Sequence, residues 1–173
     1  LGKQVHDTLG EKRKKIQNFR IEPIIREYLK TDKVDCINAF KSNVPHYFTT
    51  EEVQDFENFL IRIENGNDRA NFYVLLENQK TVGCGGFGDK DNNGIYSLAW
   101  GFIHKEFHKK GLGEKLLRYR LDKIKQLKPK FSIVIDTTQF SERFFKKFGF
   151  ETKKITENYY AEGMHRYDME LMV

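Results

Sequence analysis

Three prolines and two cysteines in 173 residues leave this chain little that could serve as a linker or a covalent staple. No Gly/Ser-rich run interrupts it and no internal repeat is visible, which argues against a flexible interdomain tether. Cys36 and Cys84 are far apart and form no metal-ligand or redox spacing, so neither a metal centre nor a disulfide framework is expected. Each sits among apolar neighbours, where a buried reduced thiol is expected. No stretch approaches the roughly 20 apolar residues of a membrane-spanning helix. No charged-then-apolar leader is read at the N-terminus, and a cytoplasmic protein with no membrane partner is expected. The positive excess is small, +5 formal, and dispersed. With no basic stripe interleaved with aromatics, nucleic acid is not an expected partner. The densest basic run, Lys12 to Lys15, lies in a polar N-terminal lead-in over residues 1–18.

What is present is core material. Fifteen Phe and eight Tyr within a 39% hydrophobic chain suffice for one packed domain, expected over residues 19–173. Ile21 to Tyr28 reads as a first strand, and Asp35 to Phe40 as a short helix closed by Asn43-Val44-Pro45. A second helix starts at Thr49 or Thr50 with a capping-box Glu51 or Glu52, and repeats Val53, Phe56, Phe59, Leu60 and Ile63 at helical spacing. Strands follow at Asn71 to Glu77, Thr81 to Phe87 and Ile95 to Ile103. The first two are joined by Asn78-Gln79-Lys80, and Asp91-Asn92-Asn93-Gly94 forms a turn before the third. Leu112 to Leu127 is a long helix with Leu112, Leu116, Leu117, Leu121 and Ile124 as its stripe, and Pro129 blocks its continuation. Phe131 to Asp136 reads as a buried parallel strand, followed by the turn Thr137-Thr138-Gln139 and a helix from about Ser141 to Phe148. Strands at Phe150 to Thr156 and His165 to Met172 flank a loop, Glu157 to Gly163. The order predicts an α/β protein with a mixed sheet and helices on its faces.

The chemistry concentrates in His104-Lys105-Glu106-Phe107-His108-Lys109-Lys110-Gly111-Leu112-Gly113, between a strand and the long helix. Glycine accepts positive φ and lets backbone approach a ligand without a Cβ in the way. Amides gathered at a helix N-terminus bind pyrophosphate without a catalytic side chain, and Lys105, Lys109 and Lys110 raise the local potential. The Walker spacing is absent, and a dinucleotide fingerprint would need glycine where Leu116 stands.

In context the turn resembles motif A of the GNAT superfamily of acetyltransferases, Gln/Arg-x-x-Gly-x-Gly/Ala after an aromatic-rich strand, here Ala99-Trp100-Gly101-Phe102-Ile103. His108 stands where the family usually has Gln or Arg. Phe145-Lys146-Lys147-Phe148-Gly149-Phe150 is similar to the end of motif B, Tyr-x-x-x-Gly-Phe. The resemblance runs over about Thr81 to Phe150. It implies a GNAT-like fold, a mostly antiparallel sheet with a splayed parallel strand pair and flanking helices. It also implies acetyl-CoA as co-substrate, an amine acceptor, and a homodimer by family habit. Residues implied at the CoA site are Phe102, Ile103, His108, Lys109, Lys110, Gly111, Leu112, Gly113, Thr138 and Phe145.

Direct transfer needs a neutral amine, a polarised thioester carbonyl and a leaving thiolate. Backbone N–H groups where the Phe102 strand splays from the Ile133 strand are expected to polarise the carbonyl. The tyrosine that often protonates the sulfur in the family corresponds to Phe145, and the family's frequent fourth-strand glutamate is replaced by Leu98 and Trp100. Bases considered in their stead are His165, Glu51, Glu52 and His46. Two alternatives stay open: a catalytically silent acyl-CoA-binding module, and a transferase for a different acyl-CoA.

Overall fold

The computed structural model describes residues 22–89, 91–127 and 131–172. The lead-in over 1–18, the start of the first expected strand, Pro129 and Val173 lie outside the described residues. Among the described residues four α-helices and seven strands follow one another: β1 Ile24–Glu27, α1 Lys33–Lys41, α2 Glu51–Glu64, β2 Asn71–Glu77, β3 Lys80–Gly88, β4 Ile95–Ile103, α3 Leu112–Leu127, β5 Ser132–Thr138, α4 Gln139–Lys146, β6 Glu151–Ala161 and β7 Met164–Met172. They form one sheet in the order β1-β2-β3-β4-β5-β7-β6, in which only the β4–β5 pair is parallel. The mixed sheet with a single parallel pair is the architecture expected from the sequence.

The period of two in a strand sorts the core into two layers. Along β2, Phe72 and Val74 join Cys36, Phe40, Phe56, Phe59 and Leu60 beneath α1 and α2, whereas the intervening Tyr73 joins Leu117, Leu121, Ile124 and Ile133 beneath α3. Both cysteines are buried and free. Asn78 and Gln79 both adopt positive φ, 50° and 66°, the left-handed pair that a two-residue hairpin uses to match strand twist. Thr49 closes the capping box of α2: its N–H donates to Glu52 Oε2 at 2.7 Å, and the Glu52 N–H donates to Thr49 Oγ1 at 3.4 Å.

Two expectations are corrected. The stretch Glu157 to Gly163, read as a loop, is strand up to Ala161, and a tight turn at Glu162 and Gly163 returns it as β7. It looked like a loop because β6 is an edge strand whose side chains are mostly exposed, so no alternation marks it. Thr137 and Thr138, read as turn, belong to β5, and α4 begins at once at Gln139 and ends two residues before Phe148.

Candidate active site

The β4–β5 ladder is short. Ile95, Tyr96 and Ser97 pair with Ser132, Ile133 and Val134, and beyond Ser97 the strands part. β5 remains paired with β7 as far as Thr138 and β4 with β3 as far as Ile103, so the sheet divides between β4 and β5. The other edge of β4 carries a bulge at the same level. Cys84 pairs with Phe102 and Gly86 with Ala99, which leaves Trp100 and Gly101 opposite the single residue Gly85. This bulge holds Trp100 at φ 46°, a left-handed conformation that is strained for a bulky residue. Packing keeps it there: the indole ring lies 5.3 Å from the ring of Phe56 and 5.8 Å from that of Phe40. The backbone of β4 after Ser97 therefore faces a gap instead of a strand.

The gap opens into a cleft of about 1140 Å³. β4 forms one wall and Asp136 to Thr138 of β5 the other. Gly113, Leu116 and Arg120 of α3, with Phe144 and Phe145 of α4, also line it. At one end lies the Gly111–Gly113 turn. Lys115 donates the first helical bond, to Gly111 O at 3.0 Å, so the amides of Leu112, Gly113 and Glu114 precede the helical ladder and are available to a ligand. Lys109 and Gly111 adopt φ of 61° and 76°, and a Cβ at Gly111 would meet nothing within 4 Å. The turn is an open cradle of amides at the positive end of a 16-residue helix, suited to phosphate.

Of the expected CoA-site residues, Phe102, Ile103, His108, Lys109, Gly111, Leu112, Gly113, Thr138 and Phe145 line this one cleft. Lys110 does not; its ammonium sits over the Phe107 ring, 4.5 Å from the centroid. The ring of His108 braces the turn, its Nε2 lying 2.8 Å from Ile103 O.

The expected bases separate. Glu52 lines the cleft, whereas Glu51 is exposed on the first turn of α2 and outside the lining. Burial pushes the Glu52 carboxyl up from its ordinary value, against the lowering pull of its bonds with Thr49. His165 is also outside the lining; its Nδ1 accepts from Asn158 N–H at 3.0 Å, which fastens the β6–β7 hairpin. His46 stacks on Phe140 with ring centroids 4.8 Å apart, so the α1–α2 loop reaches across to the start of α4. Its neighbours Tyr47 and Phe48 line the cleft.

Tyr160, Asp136 and Arg120 are among the lining residues that the sequence did not mark as site candidates. Tyr160 donates to Asp136 Oδ2 at 2.9 Å, and burial together with that carboxylate raises its hydroxyl pKa and keeps it protonated. No signal marked Tyr160 and Asp136 as partners, since 24 residues and a strand reversal separate them. Among the described residues no group of His, Cys, Asp and Glu could hold a metal ion, and no helix is long and apolar enough to cross a membrane.

Residues 40–173 match the family model of the acetyltransferase (GNAT) domain. Solved structures share the fold at low identity. A GNAT-family protein of Desulfovibrio desulfuricans superposes with a TM-score of 0.74 at 19% identity, over 87% of this chain and 99% of that one. The ribosomal-protein-S18-alanine N-acetyltransferase of Escherichia coli gives 0.68 at 16%, over 88% and 94%. A Salmonella typhimurium protein solved with its cofactor acetyl-CoA gives 0.66 at 20%, over 87% and 93%. No curated protein matches the chain by sequence.

Proposed function

Because this chain belongs to the GNAT acetyltransferases, we propose that it moves the acetyl group of acetyl-CoA directly to a primary amine of a small molecule or a protein. The observation that carries this reading is the continuity of one cleft from the Gly111–Gly113 cradle to the gap beside the Trp100 bulge. A pyrophosphate fits the cradle, and an extended arm ending in a thioester fits the gap. There, amide-bearing arms can bond the unpaired strand edges as a further strand would. Backbone N–H groups of β4 freed by the splay supply the donors for a developing oxyanion.

Glu52 is the group proposed to accept the amine's proton, directly or through one water. It alone of the four bases considered both lines the cleft and has a carboxyl shifted toward neutral pH. Tyr160 and Asp136 line the same cleft. As a hydrogen-bonded pair they suit an incoming ammonium group better than they suit proton abstraction, since the tyrosine holds its proton.

Calorimetric titration with acetyl-CoA, followed by a thiol-release assay over a panel of amines, tests the proposal. Micromolar binding with CoA release that depends on added amine is expected. Binding without amine-dependent release would favour a silent acyl-CoA-binding module, tighter binding of a longer acyl thioester would overturn the acetyl assignment, and no binding would overturn the reading altogether.

A further inference from the structure

Arg120 occupies a place where an arginine is costly. It is 3% exposed, on the apolar face of α3 between Leu116 and Ile124. Its Nε donates to Leu116 O and its Nη1 to Gly86 O, both at a long 3.4 Å. It makes no ion pair with any described residue. Two glycines leave room for it: a Cβ at Gly101 would lie 2.8 Å from both Nη1 and Nη2, and one at Gly85 would lie 3.0 Å from Nη1. Burial pushes the guanidinium down to about 10, so it stays charged at neutral pH. From β3, the titratable neighbour is Cys84. Burial and its contact with Cys36 push that thiol well up, so it is neutral and offers no counter-charge. From β4 the facing residue is Gly101, and α3 itself offers the Leu116 carbonyl. A buried cation with two long bonds to carbonyls is poorly compensated, and an apolar side chain of similar volume would fill the space at lower cost.

The cost has a use if an anion arrives. Arg120 lines the same cleft as Gly113, Leu116, Gly101 and Phe145. It lies two helical turns beyond Gly113, about 10 Å along the axis, which carries it from the phosphate end to the level of the Trp100–Gly101 bulge. We propose that Arg120 forms the anion site that faces the thiolate of CoA as it leaves. This rests on the acyl-transfer reading above. In that reaction the amine nitrogen attacks the thioester carbon and a C–N bond forms. The C–S bond breaks with its electron pair on sulfur, and the ammonium proton passes to the base. Phe145, at the place where the resembling family often carries a tyrosine acid, has no proton to offer the sulfur. A fixed guanidinium in a site of low dielectric stabilises the thiolate without transferring a proton, and the thiolate is protonated from solvent after release.

The test compares CoA with desulfo-CoA, which lacks the sulfur, by calorimetric titration at a series of pH values. Ultraviolet absorbance of the thiolate is followed in parallel. A cation beside the sulfur lowers the bound thiol's pKa below that of free CoA. The affinity of CoA relative to desulfo-CoA should therefore rise with pH between the bound and free values, and thiolate absorbance should appear earlier in the complex. In Arg120→Met the ratio should become flat and the absorbance should return to that of free CoA, with kcat for acetyl transfer down roughly 10- to 100-fold and KM for acetyl-CoA nearly unchanged. Arg120→Lys, which keeps a charge, should retain part of the shift. A merely structural role for Arg120 would leave the ratio independent of pH in the unmodified protein, and that result overturns the inference even if Arg120→Met fails to fold. Unchanged thiol behaviour in a folded Arg120→Met protein overturns it equally. If CoA and desulfo-CoA both fail to bind, the functional reading itself falls and takes this inference with it.

Discussion

The side-chain amide of Asn43 donates to the carbonyl oxygen of Ile103 at 2.9 Å, across 60 residues of sequence. The same amide donates to Ala39 O at the end of α1, also at 2.9 Å, and His108 Nε2 lies 2.8 Å from that same Ile103 oxygen. A buried asparagine thus joins the first helix to the last residue of β4, where the phosphate turn departs. The cradle is therefore positioned twice through one oxygen, by the end of α1 through Asn43 and by its own loop through His108.

Replacing Asn43 with Ala should therefore act on position before it acts on chemistry. Ile103 O would keep one donor and Ala39 O would lose one, at a cost of about 1–2 kcal/mol in urea unfolding. KM for acetyl-CoA should rise several-fold while kcat changes less. An Asn43→Ala protein of unchanged stability and KM would show that the joint does not hold the turn.

The two cradle glycines should respond differently to substitution. A Cβ at Gly113 would rest 3.9 Å from both Ile103 Cγ1 and Phe144 Cζ, so the backbone accepts a side chain there. The branched methyls of Gly113→Val would then fill the mouth of the cleft. CoA affinity should fall at least about tenfold, while the helix loses no stability, since valine is favoured over glycine there by about 0.5 kcal/mol. Gly111, at φ 76° with open space beyond it, should instead show strain: Gly111→Ala should cost about 1–2 kcal/mol in stability. Calorimetric titration and thermal melts of the two variants separate the effects. Unchanged CoA affinity in folded Gly113→Val would remove the cradle.

Asp32 makes the stability of the fold depend on acid. It is buried, accepts Arg26 Nη1 and Nη2 at 2.7 and 2.8 Å, and also accepts from Leu29 N–H and Thr81 Oγ1. Burial alone would raise its pKa, but these donors outweigh it and hold the carboxyl below its ordinary value. The native state therefore favours the ionised form. The stabilisation is full above the unfolded-state pKa of about 3.9 and is lost as pH falls through the lower folded value. Asp32→Asn should destabilise the protein at neutral pH by about 1–3 kcal/mol and flatten the acid limb of its stability curve. Urea titrations at several pH values check both, and a variant with the original acid limb would assign that limb to other carboxylates.

How much of this was legible in the sequence depended on whether burial left a pattern. The stripe Leu112, Leu116, Leu117, Leu121 and Ile124 marked α3 because one face of that helix is core. The glycine turn was readable because Gly111 and Gly113 carry their meaning in the backbone. Arg120 broke the rule that charge marks a surface: four residues after Leu116 and four before Ile124, its spacing puts it on the buried face, but a charged residue type there does not read as core. The bulge was equally silent. Trp100 looks like any strand aromatic, and its left-handed φ comes from a one-residue mismatch with β3 that only the pairing reveals. Glu52 and Glu51 were alike as helix-start carboxylates until the fold half-buried Glu52 and left Glu51 exposed.

That difference between two adjacent glutamates gives the sharpest kinetic expectation. A carboxylate accepts a proton only when ionised, so activity should fall as pH drops through the Glu52 pKa. Burial raises that pKa, and the acid limb of kcat/KM should accordingly lie above the ordinary glutamate value of about 4.3. Glu52→Gln keeps an oxygen for the Thr49 N–H bond and removes a desolvated charge, so the fold should survive. Its kcat should drop roughly 10²-fold or more, with that acid limb lost and acetyl-CoA affinity retained. Glu51→Gln, on the exposed side of the same helical turn, should leave the pH profile as it was. If Glu52→Gln retained the original acid limb at full rate, the proton would have to leave by another route, and the Asp136 carboxylate, which lines the same cleft, would be the next group to replace.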